Sequence, residues 1–384
     1  MPISRSCLAC LCILSAAALF ISACGSRGEE TAQVIQEGDS TVTVVDGLGR
    51  EVSVPFDPDF VICSGPGCLR LLAYLKAQDR IVAVDDMEGR RPDFEARPYA
   101  LANPWFEEMP IFGEFRGHDN PELIVYLDPQ PQVIFKTYPL MGMDPVELES
   151  KTGIPVVVLN YGTLTSGRSD LYNSLRTMGA VMDRSERAEE VIAFMDSVMA
   201  DLRSRTASIP EDDRPSCYVG GIAYRGPHGF QSTEPAYPPF VFVGANNVAL
   251  PEGMEDRPRE HADVAKEQIV AWDPEVLFVD LSTLEADPQS SAIYQLGTDP
   301  AYRTLSAVGE GRVYGLMPYN WYTKNFGSIL ANAYFIGKVL YPDAFADIDP
   351  RETADDIYAF LVGARVFDRL NASFQGRVFQ RLEI

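Results

Sequence analysis

Two loops gather most of the side chains that could do chemistry. Residues 220–229 (Gly-Gly-Ile-Ala-Tyr-Arg-Gly-Pro-His-Gly) follow the strand-like run Ser216-Cys-Tyr-Val219 and carry Tyr224, Arg225 and His228. Residues 317–325 (Met-Pro-Tyr-Asn-Trp-Tyr-Thr-Lys-Asn) follow Arg312-Val-Tyr-Gly-Leu316 and form the most aromatic loop of the chain, with Tyr319, Trp321, Tyr322 and Lys324. From the first half, Arg90, Arg91, Arg116, Lys136 and Tyr138 add cations and a further phenol. Guanidinium and ammonium groups neutralise anions, and Arg grips paired oxygens bidentately. Aromatic rings supply flat apolar walls with polar tips. These types suit non-covalent capture of an anionic ligand. The competing reading of each arginine is a solvated surface charge, and of Trp321 and Tyr322 simple loop packing.

Catalytic patterns are missing from the sequence. Its three histidines, His118, His228 and His261, do not form His-Glu-x-x-His. There is no Gly-x-Ser-x-Gly elbow and no phosphate-binding Gly-x-x-x-x-Gly-Lys-Ser/Thr loop, and residues 220–229 lack the dinucleotide-binding spacing. The chain is therefore expected not to be an enzyme, and to carry no cofactor and no metal site of its own. With 384 residues, 46% hydrophobic and 23% charged, it is a globular chain long enough for two domains. Its net charge of −23 argues against nucleic acid as a partner.

The elements that must position these loops alternate strand and helix. Thr41-Val-Thr-Val-Val45 and Glu51-Val-Ser-Val54 flank the turn Asp46-Gly-Leu-Gly49, which predicts a hairpin. Strands are predicted at Phe60-Val-Ile-Cys63, at Arg80-Ile-Val-Ala-Val84, at Val133-Ile-Phe135 and over residues 155–159. Helical patterns over residues 69–76 and 121–127 separate them. In the second half, strands at residues 216–219, 276–280 and 312–316 precede helical patterns at 327–340 and 353–362. Such alternation implies crossover connections and mostly parallel sheets, whose strand-end loops line a ligand crevice. Between the halves, residues 183–205 form one long amphipathic helix. Ala188, Val191, Ile192, Met195, Val198, Met199 and Leu202 make its apolar stripe, and Asp183 with Glu186 has the form of a capping box.

At this point the chain resembles a family, the substrate-binding proteins of ABC importers for iron–siderophore complexes, haem and cobalamin. The resemblance rests on Asp46-Gly-Leu-Gly-Arg-Glu-Val-Ser-Val-Pro55, on Asn120-Pro-Glu-Leu-Ile-Val-Tyr-Leu-Asp-Pro129 followed by Gln132-Val-Ile134, and on Thr152-Gly-Ile-Pro-Val156. It extends through Glu267-Gln-Ile-Val-Ala-Trp-Asp-Pro-Glu-Val-Leu-Phe278 and Ala307-Val-Gly-Glu-Gly-Arg-Val-Tyr314, and covers residues 41–370. It implies an α/β fold of two lobes with mostly parallel sheets, joined by the long helix, with ligand in the cleft between them. The expected divisions are an N-terminal lobe at residues 41–165, linker helices at 166–210 and a C-terminal lobe at 211–384. The implied ligand is an iron chelate of the siderophore type. Haem or cobalamin, or molybdate or tungstate, are the alternatives within the binding class, and a surface lipoprotein without transport function lies outside it. The implied partners are a permease dimer and its ATPase subunits, met by a monomer through Glu122 and Glu267, one exposed glutamate per lobe.

The N-terminus reads as an address. Arg5 precedes an apolar run over residues 8–21, and Ile21-Ser-Ala-Cys24 resembles the lipobox of bacterial lipoproteins. That implies a signal peptide at 1–23, a lipid on Cys24, a flexible tether at 24–40, and a protein held outside the cytoplasmic membrane by its lipid alone. In such an oxidising compartment Cys63 and Cys68 are candidates for a disulfide across Ser-Gly-Pro-Gly. Their alternative role as thiolate ligands lacks the further Cys or His that a structural zinc site needs.

Overall fold

The computed structural model describes residues 34–37, 40–90, 92–250 and 260–384. The expected signal peptide, Cys24 and Arg91 lie outside the described residues. Strands β1 (Val34–Glu37), β2 (Thr41–Val45) and β3 (Glu51–Pro55) form an antiparallel sheet. β1 falls within the expected tether and corrects it, because Gln36 and Glu37 pair with Thr43 and Val42 and cover the free edge of β2. The hairpin turn is fixed by Asp46. Its carboxylate accepts from the N–H groups of Leu48 and Arg50, from the Arg50 guanidinium and from the Val158 N–H.

The first lobe then runs β4 (Val61–Ser64), α1 (Cys68–Tyr74), β5 (Val84–Asp85), α2 (Pro98–Ala102), β6 (Ile111–Glu114), β7 (His118–Asp119), α3 (Pro121–Val125), β8 (Val133–Thr137), α4 (Pro145–Thr152) and β9 (Val156–Leu159). Parallel strands β4, β8 and β9 lie in that order, with Ile62 beside Ile134 and Ile134 beside Val156. All three are buried along their whole length, as a parallel sheet covered on both faces requires. The strand predicted over 80–84 is shortened. Arg80 ends a 3₁₀ turn, Ile81 makes a lone parallel bridge to Val61, and only Val84 and Asp85 pair with β6.

Helices α5 (Arg168–Val181) and α6 (Ser185–Thr206) form a hairpin between the lobes. All seven residues of the predicted stripe on α6 are buried. The capping box is not formed. Asp183 instead takes the left-handed conformation (φ 50°) that ends α5, while the Arg184 N–H returns to the Gly179 carbonyl at 2.7 Å. A three-residue connection gives Asp183 to the stop of one helix before the next can use it. Arg187 is also buried on α6, because its guanidinium donates to the carbonyls of Tyr74 and Phe360.

The second lobe contains β10 (Ser216–Gly220), β11 (Ser232–Thr233), α7 (Pro238–Val243), β12 (Asn246–Asn247), β13 (Ala262–Asp263), α8 (Lys266–Trp272), β14 (Val276–Asp280), α9 (Ala292–Thr298), α10 (Ser306–Gly309) and β15 (Val313–Leu316). Its parallel sheet has the order β12-β10-β14-β15. The chain closes with α11 (Phe326–Leu340), α12 (Pro350–Val362) and α13 (Phe367–Ser373). α12 packs on α11 and also against α1 and α2, and α13 packs on α2, so the last helices touch both lobes. One hydrophobic core accordingly runs from Val42 and Val44 through Met195 and Met199 to Phe278, Phe335 and Leu361. Among the described residues no helix is long and apolar enough to cross a membrane.

Candidate functional site

Parallel strands of both lobes end at one cleft of about 580 Å³. Pro66 follows β4, Met87 and Arg90 follow β5, Phe115 and Arg116 follow β6, and Tyr138 follows β8. From the other lobe come Ala223 and Arg225 after β10, Glu285 after β14, and residues 320–323 after β15. This is the crevice that an open α/β sheet offers at the carboxyl ends of its strands.

Several wall residues are held in a backbone conformation that their side chains disfavour. Arg116 (φ 62°), Tyr138 (φ 50°), Arg225 (φ 57°), Tyr322 (φ 44°) and Thr323 (φ 63°) are all left-handed. Each such residue costs on the order of 1–3 kcal/mol, and strain gathered in one place points to a site. In residues 321–324 the strain is held by ties from the first lobe. Arg70, fully buried on α1, donates to the carbonyl oxygens of Lys324 at 2.8 Å and of Trp321 and Tyr322 at 3.2 Å each. The Tyr161 hydroxyl donates to the same Lys324 carbonyl at 2.7 Å, and Tyr138 and Thr323 share a hydroxyl–hydroxyl bond of 2.6 Å. The Tyr322 hydroxyl donates to Asp85. Gly67 permits this approach, since a Cβ there would lie 2.3 Å from the Tyr161 ring and 2.6 Å from the Thr323 methyl.

Electrostatically the cleft is mixed. Arg90 is ion-paired with Asp86. Arg116 lies over the Phe115 ring at 5.0 Å and Arg225 over the Tyr224 ring at 5.3 Å. Among the described residues, neither Arg116 nor Arg225 has a carboxylate partner. Behind the wall, burial and then the charge of Glu88 push the Asp85 carboxyl up to about 7, against the opposing bond from Tyr322. Burial and then Glu95 likewise push Glu285 up to about 7.

Of the side chains singled out from sequence, Arg90, Arg116, Tyr138, Arg225, Trp321 and Tyr322 stand on the cleft wall. Five others do not. Lys136 is fully buried, ion-paired with Asp119 at 2.6 Å and donating to the Gly117 carbonyl at 3.2 Å, so it shapes the Arg116 turn from behind. Tyr319 is buried and donates to Glu234. His228 bonds the Tyr224 carbonyl at 2.7 Å, and Tyr224 stacks on His261 at 4.3 Å, which turns both away from the cleft. Lys324 is ion-paired with Glu260 at 2.8 Å. Cys63 and Cys68, expected as a disulfide, are free thiols. Both are buried, and burial, followed by a hydrogen bond with Cys68, raises the Cys63 thiol well above its ordinary range. Among the described residues no cluster of His, Cys, Asp or Glu could hold a metal ion.

Sequence reasoning missed Arg70, Asp85 and Glu285. Arg70 left one trace, a lone charge inside Cys-Leu-Arg-Leu-Leu-Ala-Tyr-Leu on an otherwise apolar helix. Glu122 and Glu267 are both exposed in the first turns of α3 and α8.

The chain matches the family model described as periplasmic binding protein over residues 61–319. The molybdate-binding protein MolA of Haemophilus influenzae is 22% identical over 342 residues, covering 82% of this chain and 89% of that protein. Among solved structures, a periplasmic solute binding protein from Veillonella parvula superposes with a TM-score of 0.65 at 20% identity, covering 86% of this chain and 96% of the other. MolA bound to molybdate gives 0.63 at 19%, covering 84% and 98%. The TroA-like periplasmic binding protein FepB from Veillonella parvula gives 0.59 at 18%, covering 84% and 96%.

Proposed function

The chain belongs to the periplasmic binding protein family, and on that premise we propose that it is an extracytoplasmic solute receptor delivering an anionic iron chelate, of the siderophore type, to an ABC importer. The observation that carries this reading is the composition of the cleft. Its volume of about 580 Å³ falls in the range of roughly 300–1,000 Å³ typical of drug-sized ligands. Pro66, Met87, Phe115, Met141, Trp321 and Tyr322 make its walls broad and apolar, with Arg90, Arg116 and Arg225 set among them. A chelate needs such walls for its organic shell and cations for its charge. A bare oxyanion is small, fully hydrated and bound best by a tight ring of N–H and O–H donors.

Molybdate is the competing ligand, favoured by the likeness to MolA and by two guanidiniums without carboxylate partners. Haem and cobalamin are the further alternatives. The partner would be a permease dimer with its ATPase subunits, approached by a monomer through Glu122 and Glu267, and the protein would be tethered by a lipid on Cys24. Titration of the mature protein with ferric siderophores, haemin, cobalamin and molybdate, read by Trp321 fluorescence and calorimetry, tests the reading. Tight 1:1 binding of an iron chelate is expected, and a response to none of the probes overturns it.

A further inference from the structure

Glu285 stands apart from the other acids of this acidic chain. It ends a 3₁₀ helix, Leu281–Glu285, that continues from β14 and is capped by Asp280, whose carboxylate accepts from the Ser282 N–H at 2.9 Å. The side chain is half-buried and lines the cleft. Among the described residues it has neither a hydrogen bond nor an ion pair. Glu95 nearby shows the contrast, since its carboxylate is fully engaged by Arg97 at 2.7 and 2.9 Å.

An acid and two guanidiniums that share a cleft could neutralise one another. Here they do not, because Arg116 and Arg225 lie over the rings of Phe115 and Tyr224. Charges left unpaired in a half-buried space are costly, and the cost is recovered when a ligand supplies the missing partners. Oxygens on the ligand would meet the guanidiniums. Glu285 needs the opposite, a hydrogen-bond donor.

We infer that Glu285 is the residue that sets ligand specificity, selecting anionic chelates that also present an N–H or O–H donor and rejecting oxyanions that can only accept. This deepens, and rests on, the proposed role as a chelate receptor. A fully deprotonated tetrahedral oxyanion brings only acceptors and like charge to the carboxylate, and a polar group left unpaired in the bound state is a strong means of rejection. The charged and titratable residues that line the cleft with Glu285 are Arg90, Arg116, Arg225, Tyr138 and Tyr322, the last with its hydroxyl turned to Asp85, and Glu95 is the charge that acts on Glu285 from behind the wall. Burial raises the Tyr138 and Tyr322 phenols above their ordinary range.

Glu285→Gln keeps the shape of the side chain while removing its charge, and a melting curve establishes that the variant is folded. The probes are ferric aerobactin, an anionic citrate–hydroxamate chelate with amide N–H groups, ferric enterobactin, and molybdate as the acceptor-only anion. Wild type is expected to prefer a chelate, and Glu285→Gln to weaken that chelate five- to fiftyfold while tightening molybdate at least fivefold. Chelate affinity of wild type should fall as pH drops below 7, by at most tenfold per unit for one linked proton. Asp85 titrates in the same range but is present in both proteins, so the difference between them isolates Glu285. If wild type binds a chelate and Glu285→Gln changes neither ligand's affinity by more than twofold, the specificity role is overturned and the receptor role stands. A wild-type preference for molybdate at pH 8 overturns the specificity role and the choice of a chelate. Binding of none of the probes overturns both inferences.

Discussion

Arg70 and Lys324 are 254 residues apart in the chain, yet the fully buried guanidinium of one donates to the carbonyl of the other at 2.8 Å. That bond, with those to Trp321 and Tyr322, fastens the aromatic loop of the second lobe to the first helix of the first lobe. Arg70→Met keeps the apolar stem and leaves the Tyr322 carbonyl without a side-chain donor, while Tyr161 still donates to the Lys324 carbonyl and Asn325 to that of Trp321. One orphaned group and two lost bonds to a charged donor, at about 1–3 kcal/mol each, give an expected loss on the order of 3–5 kcal/mol in denaturant unfolding. Trp321 emission should shift to the red in the folded variant. A loss below about 1 kcal/mol would mean that water replaces the guanidinium.

Arg116→Ala and Arg225→Ala should each weaken binding of an anionic chelate by about 1–3 kcal/mol, since each would remove a charge-assisted bond to a half-buried ligand. Lys324→Ala should have little effect on affinity, because its ammonium is already paired with Glu260 and only 15% exposed. Calorimetric titration of the three variants separates these roles. Equal losses in all three would point to a general field effect of positive charge, not to contacts.

The legible parts of this molecule were those fixed by short-range pattern. The stripe from Ala188 to Leu202 is buried as its spacing requires, since one face of a long helix can meet the core in only one way. The loops after β6, β10 and β15 were found because chemically unusual residues gather there. What was not legible depends on partners distant in sequence. Nothing near Lys136 announces that Asp119 and Ser64 will enclose its ammonium, or near Tyr319 that Glu234 will accept a hydrogen bond from its hydroxyl. Asp183 was misread for the opposite reason, two local motifs competing for one residue. Glu285 was hidden among many acids, and only the absence of a partner distinguishes it.

Glu234 should make stability pH-dependent. Burial, opposed by Lys324 and by the Tyr319 hydroxyl, pushes its carboxyl up to about 8. A carboxyl whose folded value lies above its unfolded value of about 4.3 holds more protons when folded, so stability is highest below that value and falls as pH rises through about 8. Glu234→Gln can still accept from Tyr319 and does not titrate. Its unfolding free energy should match wild type near pH 4 and exceed it at pH 8.5, by an amount on the order of a few kcal/mol. A difference that does not change with pH would mean that Glu234 is ionised in the folded protein.

Ligand should change the overall dimensions little. The core is continuous through α6 from one sheet to the other, and closing the lobes by bending a helix breaks backbone hydrogen bonds. The ties from Arg70, Tyr161 and Tyr138 to residues 321–324 add to this stiffness. Solution scattering with and without a bound chelate should give nearly superposable profiles. A large decrease in radius of gyration would place a hinge in α6.

Docking on a permease should depend on Glu122 and Glu267. Both are exposed, and each sits in the first turn of a helix, one per lobe. A carboxylate there is stabilised by the helix dipole, which holds it in place at little cost. Two such charges on separate lobes can set the orientation on a two-subunit partner, and complementarity of this kind governs register and association rate more than affinity. The simpler account is that first-turn glutamates only stabilise their helices, at about 0.3–1 kcal/mol each. The double variant Glu122→Ala, Glu267→Ala tells them apart in liposomes holding the transporter. Chelate affinity and melting temperature should stay close to wild type, while uptake and the stimulation of ATP hydrolysis are lost. Normal uptake by that variant would reduce both glutamates to helix stabilisers.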